Sequence, residues 1–203
     1  MTTAFQYVFD YAETISINKR RVIGSTITRD NTVRAVSRGG QTWRFEVKLP
    51  DGIAWSQARP YIEKMEALDR STVGTVQINN AGYNSWLMKY QGNSVSTMTA
   101  TFSSGSTITL TAGQAASGFN FKAGDLIQLG SSGRVYSAAA DVAYNSNTVT
   151  LNRPVAETAG TYTLIRGPSV TWNVICTEFP SWTIFARDQV SWAGPFIFYE
   201  SLV

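Results

Sequence analysis

The sequence predicts a mainly β protein: a β-sandwich or barrel-like domain with one α-helix, carrying an inserted small β-barrel. Three observations predict it. Residues 41–49 alternate apolar and polar without a fault, one stretch near residues 56–68 has helical spacing, and the tryptophans avoid the middle of the chain. Trp43, Trp55 and Trp86 precede that middle and Trp172, Trp182 and Trp192 follow it, whereas residues 94–167 contain none. There the sequence is rich in Ser, Thr, Gly and Ala, with charges only at Lys122, Asp125, Arg134, Asp141, Arg153, Glu157 and Arg166. Large aromatics build thick cores, and short polar residues between small apolar ones build thin sheets closed by turns. Two packing styles in the order A, B, A imply one domain inserted into another.

A chain of 203 residues accommodates one large or two small domains of roughly 100 to 150 residues, each able to bury a core without disulfides. From Arg20 to Leu49 the pattern is strand-like. Trp43, Phe45, Val47 and Leu49 share one face of a strand, and Arg44, Glu46 and Lys48 the other. Gly39-Gly40 reads as the turn before this strand, and Pro50-Asp51-Gly52 as the turn that ends it. The one predicted helix follows, with Ala58, Tyr61, Ile62, Met65 and Leu68 on its apolar side and Arg59, Glu63, Lys64, Glu66 and Asp69 opposite. Ser56 is its expected N-cap, and Pro60 fits among the early amides that have no intrahelical acceptor. Packed on an aromatic-faced sheet, this helix completes an α+β core.

Strands are then predicted at 74–78 and 85–90, joined at Asn79-Asn80-Ala81-Gly82. After Gln91-Gly92-Asn93, turn signals recur at 103–105, 112–113, 122–125, 130–133, 145–147 and 159–160, with short strands between them at 106–111, 126–129, 134–142, 148–151 and 161–165. Five or six short strands with regular turns fit a small barrel or sandwich, including the oligonucleotide/oligosaccharide-binding (OB) type. Gly167-Pro168 closes the insert. The apolar stretch 191–202, with Trp192, Phe196, Phe198 and Tyr199, is costly to leave in water and is expected to complete the first sheet.

Composition excludes much chemistry. With no histidine and only Cys176, the chain has no Ser-His-Asp or Cys-His nucleophile system, no histidine-containing or four-cysteine metal site, and no internal disulfide. Cys176 shares its parity with Trp172 and Val174 and reads as an inert core thiol. Asp10, Glu13, Glu46, Asp51, Glu178 and Asp188 are the carboxylates that a glycosidase pair would draw on, but none lies in a local motif and several alternate with apolar residues as solvated strand positions. Gly-rich phosphate cradles are absent. The expectation is a protein that is not an enzyme, with no catalytic residue, no cofactor and no metal. The net charge of +3 and isoelectric point near 9.1 invite a nucleic-acid reading, but apart from Lys19-Arg20-Arg21 the basic residues look dispersed among acids, and that triplet reads as a solvated turn or strand end. Trp182 and Trp192 are candidate sugar platforms, with core or subunit-interface packing the simpler reading for each. The amino terminus lacks a signal-peptide pattern and no apolar run is long enough for a membrane helix, so a soluble chain made in the cytoplasm is expected.

Lys122-Ala123-Gly124-Asp125-Leu126-Ile127-Gln128-Leu129, then Arg134-Val135-Tyr136, then Thr148-Val149-Thr150-Leu151-Asn152-Arg153-Pro154 resembles the inserted domain of tailed-phage distal tail proteins. The ending Tyr199-Glu200-Ser201-Leu202 is also similar to such proteins. The local motifs cover the insert and the last residues, and the layout covers the chain. The resemblance implies a discontinuous ring-forming domain from residues 1–92 and 168–203, with an inserted OB-like domain at 93–167 on its rim. It implies a virion structural protein of the tail tip or baseplate hub, made in the host cytoplasm, whose homohexameric ring joins the tail tube protein to the tail hub or tip protein. DNA would pass through the axial channel without sequence-specific binding, and no membrane insertion is implied. The alternative is a carbohydrate-binding module whose barrel reads glycans, which requires solvent-facing aromatics among Phe102, Phe119, Phe121, Tyr136, Tyr144 and Tyr162. A single-stranded nucleic-acid barrel is a third reading, poorly served by the four basic residues of the insert.

Overall fold

A computed structural model describes residues 4–19, 23–27, 33–37, 42–68, 71–78, 87–185 and 188–201. The protein is mainly β, as its sequence predicts: 43% of the described residues are strand and 13% helical, with curled sheets that form a half-barrel. In chain order the first elements are α1 (Ala4–Asp10), β1 (Thr14–Asn18), β2 (Ile23–Ile27), β3 (Val33–Ser37), β4 (Arg44–Lys48), β5 (Ile53–Ala54), α2 (Trp55–Glu66) and β6 (Gly74–Val76). The middle contributes β7 (Met98–Phe102), β8 (Thr107–Ala112), β9 (Phe119–Phe121), β10 (Leu126–Leu129), β11 (Val135–Ser137), β12 (Val142–Ala143), β13 (Thr148–Thr150) and β14 (Gly160–Arg166). A short 3-10 turn at Gly167–Ser169 leads to β15 (Trp172–Glu178), β16 (Trp182–Phe185), β17 (Gln189–Trp192) and β18 (Phe196–Glu200).

The first sheet has the order β1-β4-β18-β15-β6. The carboxy-terminal strand β18 thus lies at its centre, between β4 and β15, as burial of so apolar a segment requires. Trp43, Phe45, Val47 and Leu49 are all buried, as their alternation predicts. They pack with Trp172, Phe196 and Phe198, and α1 and α2 lie against this aromatic face through Phe5, Val8, Phe9, Ala58, Ile62 and Met65. Phe45 meets Trp172 edge to face at 5.3 Å and Phe9 at 5.7 Å.

The second sheet has the order β11-β10-β14-β7-β8-β13, with β9 and β12 paired beside it. Its core draws every member from the middle of the chain: Met98, Ala100, Ile108, Leu110, Phe121, Ile127, Leu129, Val149 and Leu164 among others. Alternation turns the threonines outward. Register aligns Thr161, Thr101, Thr109 and Thr148 across β14, β7, β8 and β13, and Thr99 bonds Thr111 at 2.8 Å. β-branched residues fit a pleated surface even where they face water.

The structure corrects several expectations. Among the described residues there are two helices, not one: residues 4–10 form α1, whose seven residues carry only Gln6 and Asp10 as polar positions, too short a stretch for a periodicity reading to detect. Ser56 is not the N-cap of α2; Ala54 holds that position in extended backbone without a side-chain cap. Pro60 is the sixth residue of α2, beyond the amides that lack an acceptor, and is accommodated inside the helix. The insert has eight strands rather than five or six: β7 and the short β9 come in addition, and the stretch expected as one strand at 134–142 divides into β11 and β12. Of the strand expected at 85–90, the described part is turn and irregular backbone. The turns expected at 39–40 and 79–82, Trp86, and Arg20-Arg21 lie outside the described residues.

Candidate functional site

Two places in the molecule concentrate polar and apolar groups in a way that packing alone does not require. One is the seam where the middle of the chain meets the flanks. Glu200, at the end of β18, is almost fully buried and receives four hydrogen bonds. Arg153 reaches both carboxylate oxygens at 2.5 and 2.6 Å, while the amides of Trp43 and Val135 donate at 3.3 Å each. The guanidinium also donates to the Val135 carbonyl at 3.0 Å and sits 4.9 Å over the Tyr136 ring. The indole of Trp43 donates to that same carbonyl at 2.6 Å. A bidentate pair whose remaining valences are filled is the form in which a buried ion pair is tolerated.

Two further buried side chains cross the same seam. Gln128 accepts a hydrogen bond from the Thr171 amide at 2.9 Å, and Asp125 accepts from the Gln91 amide at 2.9 Å and from the Lys122 amide at 2.8 Å. Burial pushes the Asp125 carboxyl above its ordinary value, and the amide hydrogen bonds oppose that. Gly133 has a φ of +71° and no room for a Cβ against Asn173, whose amide donates to the Gly133 carbonyl at 2.9 Å. The Arg153-Pro154 and Tyr199-Glu200 segments, far apart in sequence, are therefore bonded directly. Side-chain alternation could have flagged Glu200 as buried, since it shares the parity of Phe196 and Phe198. Nothing local marked Arg153 as its partner.

The second place is a cleft of 570 Å³ at the opposite end of the first sheet, lined by Phe5, Met65, Glu66, Leu68, Phe179 and the end of β15. β6 ends at Gly74 opposite Val174, so residues 175–178 of β15 have no ladder partner on that side among the described residues. Cys176 lines this cleft. It is half-buried beside the bulge in β15 between Cys176 and Glu178, and burial pushes its thiol up to about 12, so the inert reading of its chemistry has a physical cause.

The other sequence candidates are scattered. Glu46 pairs with Arg44 at 3.0 Å and Glu13 with Lys48 at 3.7 Å. Asp10 accepts from Gln6 at 2.7 Å, and Asp51 anchors the β17 hairpin by accepting from Ser191 and from the Trp192 amide at 2.9 and 3.1 Å. Those hydrogen bonds hold the Asp51 carboxyl below its ordinary value. Asp188 takes a left-handed turn with φ 74°, and its carbonyl accepts from the Trp55 amide at 2.7 Å. Trp192 is buried against Phe196 and is no sugar platform. Trp182 stacks on Trp55 at 4.7 Å and donates to Glu66 at 3.1 Å. Of the six insert aromatics, Phe102, Phe121 and Tyr136 are buried, Phe119 and Tyr162 are half-buried, and Tyr144 is exposed.

Among the described residues no group of three or more Cys, Asp or Glu is placed to hold a metal ion, and no helix is long and apolar enough to cross a membrane. No protein-family model matches the chain, and no curated protein matches its sequence.

Proposed function

We propose that the protein is a virion structural component of a phage tail tip or baseplate: a distal tail protein whose hexameric ring joins the tail tube to the hub and leaves a channel for DNA. The reading rests on the resemblance carried by residues 122–129, 134–136, 148–154 and 199–202. One geometric observation supports it above the others. Arg153 and Glu200, from two of those stretches, form the buried pair that ties the middle of the chain to the central strand of the flanking sheet. A rim domain fixed in this way moves with the ring, as a docking platform must. The flanks meanwhile leave Tyr11, Val73, Ile184, Phe185 and Tyr199 exposed, an apolar supply suited to permanent contacts.

The carbohydrate-binding alternative needs stacking aromatics on the insert surface, and among its six aromatics only Tyr144 is substantially exposed. The outward face of the second sheet presents threonines instead, which offer no ring for a sugar to stack on. Sedimentation of the purified chain, alone and with its tube and hub partners, tests the ring reading. Discrete closed oligomers are expected, and monomer at high concentration in every mixture would contradict it. Glycan-array binding through the insert would favour the alternative.

A further inference from the structure

We infer that the depression where the insert joins the flanks is a docking site for a partner polypeptide, held by an acidic side chain on Arg166 and by an aliphatic neighbour that covers Val95. The inference does not depend on the ring reading. The depression has a volume of 440 Å³ and lies between residues 95–97, which lead into β7, the end of β14 and the 3-10 turn, with Tyr90 as a wall. Every residue that lines it belongs to the unbroken described stretch 87–185.

Its charge comes from Arg166, the last residue of β14, and local structure holds that group ready for a ligand. The guanidinium donates to the carbonyls of Ser94 at 3.3 Å and Ser96 at 2.8 Å, contacts the Met98 sulfur at 3.3 Å and lies 4.6 Å over the Tyr90 ring. These partners are neutral, so they fix the side chain without cancelling its charge. A guanidinium carries five N–H donors in a rigid fork, more than these three acceptors use. Fixing it beforehand removes an entropy loss that binding would otherwise incur. Burial pushes the Tyr90 hydroxyl above its ordinary value while Arg166 opposes this, so the wall beside the guanidinium stays neutral. Asp125, which also acts on Tyr90, is buried and holds the amides of Lys122 and Gln91.

The rest of the lining selects the ligand. Ser96, Thr97, Thr163 and Ser169 are exposed and bring hydroxyls to the rim. An arginine among hydroxyl donors suits an oxyanion, and its fork matches the two oxygens of a carboxylate. Val95 lines the same depression and is fully exposed. Covering an apolar side chain is favourable, and a bare anion such as phosphate has no apolar part to cover it with. A carboxylate carried by a polypeptide, with an aliphatic side chain beside it, satisfies both halves of the site.

The test is saturation-transfer NMR on the full chain, which reads binding from the ligand at any oligomeric state. The probe is the capped tripeptide acetyl-Leu-Glu-Leu-amide, with acetyl-Leu-Gln-Leu-amide as its uncharged twin. Saturation of the leucine methyl protons is expected with the acidic peptide and to be about fivefold weaker with the twin. Arg166→Gln is expected to abolish the difference between the two. Val95→Asp puts a like charge at the rim on a fully exposed side chain, and is expected to remove the signal with the fold retained by circular dichroism, even where Arg166→Gln does not fold. No signal from the acidic peptide overturns the site, and equal signals from the twins overturn carboxylate recognition. A signal undiminished in folded Val95→Asp puts the binding elsewhere and overturns the proposal. Displacement of the acidic peptide by equimolar inorganic phosphate overturns the polypeptide occupant in favour of a bare anion hole.

Discussion

The flanking region packs by aromatic rings, whereas the middle packs by aliphatic side chains under a coat of threonine. In the flanks, Phe9, Phe45, Trp172, Phe196 and Phe198 contact one another edge to face or stacked, and the helices α1 and α2 cover them. In the middle, Ile108, Leu110, Ile127, Leu129, Val149 and Leu164 fill a thinner core, and buried Asn120 pins its loops. The difference teaches what each surface is free to do. The aromatic region leaves Tyr11, Val73, Ile184, Phe185 and Tyr199 exposed, an apolar supply suited to contact between copies. The middle fills its own core apart from Leu126 and Val135, which pack with the flanks, and its outward sheet face of threonines invites no apolar partner.

The largest expected effect comes from removing the ring at the centre of the aromatic core. Trp172→Ala leaves a cavity under Trp43 and Phe45 and is expected to cost about 5 kcal/mol, the upper end for a fully buried aromatic. Denaturant titration measures it, and a loss under about 2 kcal/mol would mean the rings are less interdependent than their contacts imply. Next comes the seam. Arg153→Met strands the Glu200 carboxylate in a buried site and is expected to cost about 4 kcal/mol, while adding Glu200→Gln should recover part of the loss because the uncompensated charge is gone. If the single variant is silent, the two regions are not joined through this pair.

Both of these effects arise from contacts distant in sequence, and that governs what could be read in advance. Trp43, Phe45, Val47 and Leu49 declared their burial because a strand has a period of two and the pattern is clean. The absence of tryptophan in the middle pointed to a second packing style because composition is local. Arg153 looked like one of a few scattered charges, since a pair forty-seven residues apart leaves no periodic trace. α1 was invisible for a different reason: seven residues with polar positions only at Gln6 and Asp10 are too few to show a helical period. The cleft arises from the end of one helix and the end of a strand a hundred residues later, so no linear pattern describes it.

Smaller changes sharpen the contrast. Asn120 donates to the carbonyls of Ala143, Tyr144 and Ser146 at 3.0, 3.3 and 2.8 Å and accepts from the Ala115 amide at 2.7 Å. Asn120→Ala removes these four hydrogen bonds, the one from the Ala115 amide fully buried, and is expected to cost about 1 to 3 kcal/mol, with amide hydrogen exchange rising at 115 and 143–146 and unchanged in β4 and β18. Exchange rising equally in both regions would show that they open as one unit.

The smallest effect is a matter of pH. The folded-state pKa of Asp51 is depressed below 3.8, so its contribution is present above that value and is lost as pH falls through the lower folded value. Asp51→Asn is therefore expected to flatten the acid limb of the stability profile and to loosen the β17 hairpin at neutral pH. An acid limb unchanged in the variant would assign that limb to other carboxylates.

The central claim is that this chain builds a ring from its aromatic flanks, and electron microscopy of the purified protein tests it most directly. A closed ring with a central hole, subunits repeating head to tail and the threonine-faced domain at the rim, is the predicted image. Isolated globular particles at every concentration, alone and with tube and hub partners, would contradict it.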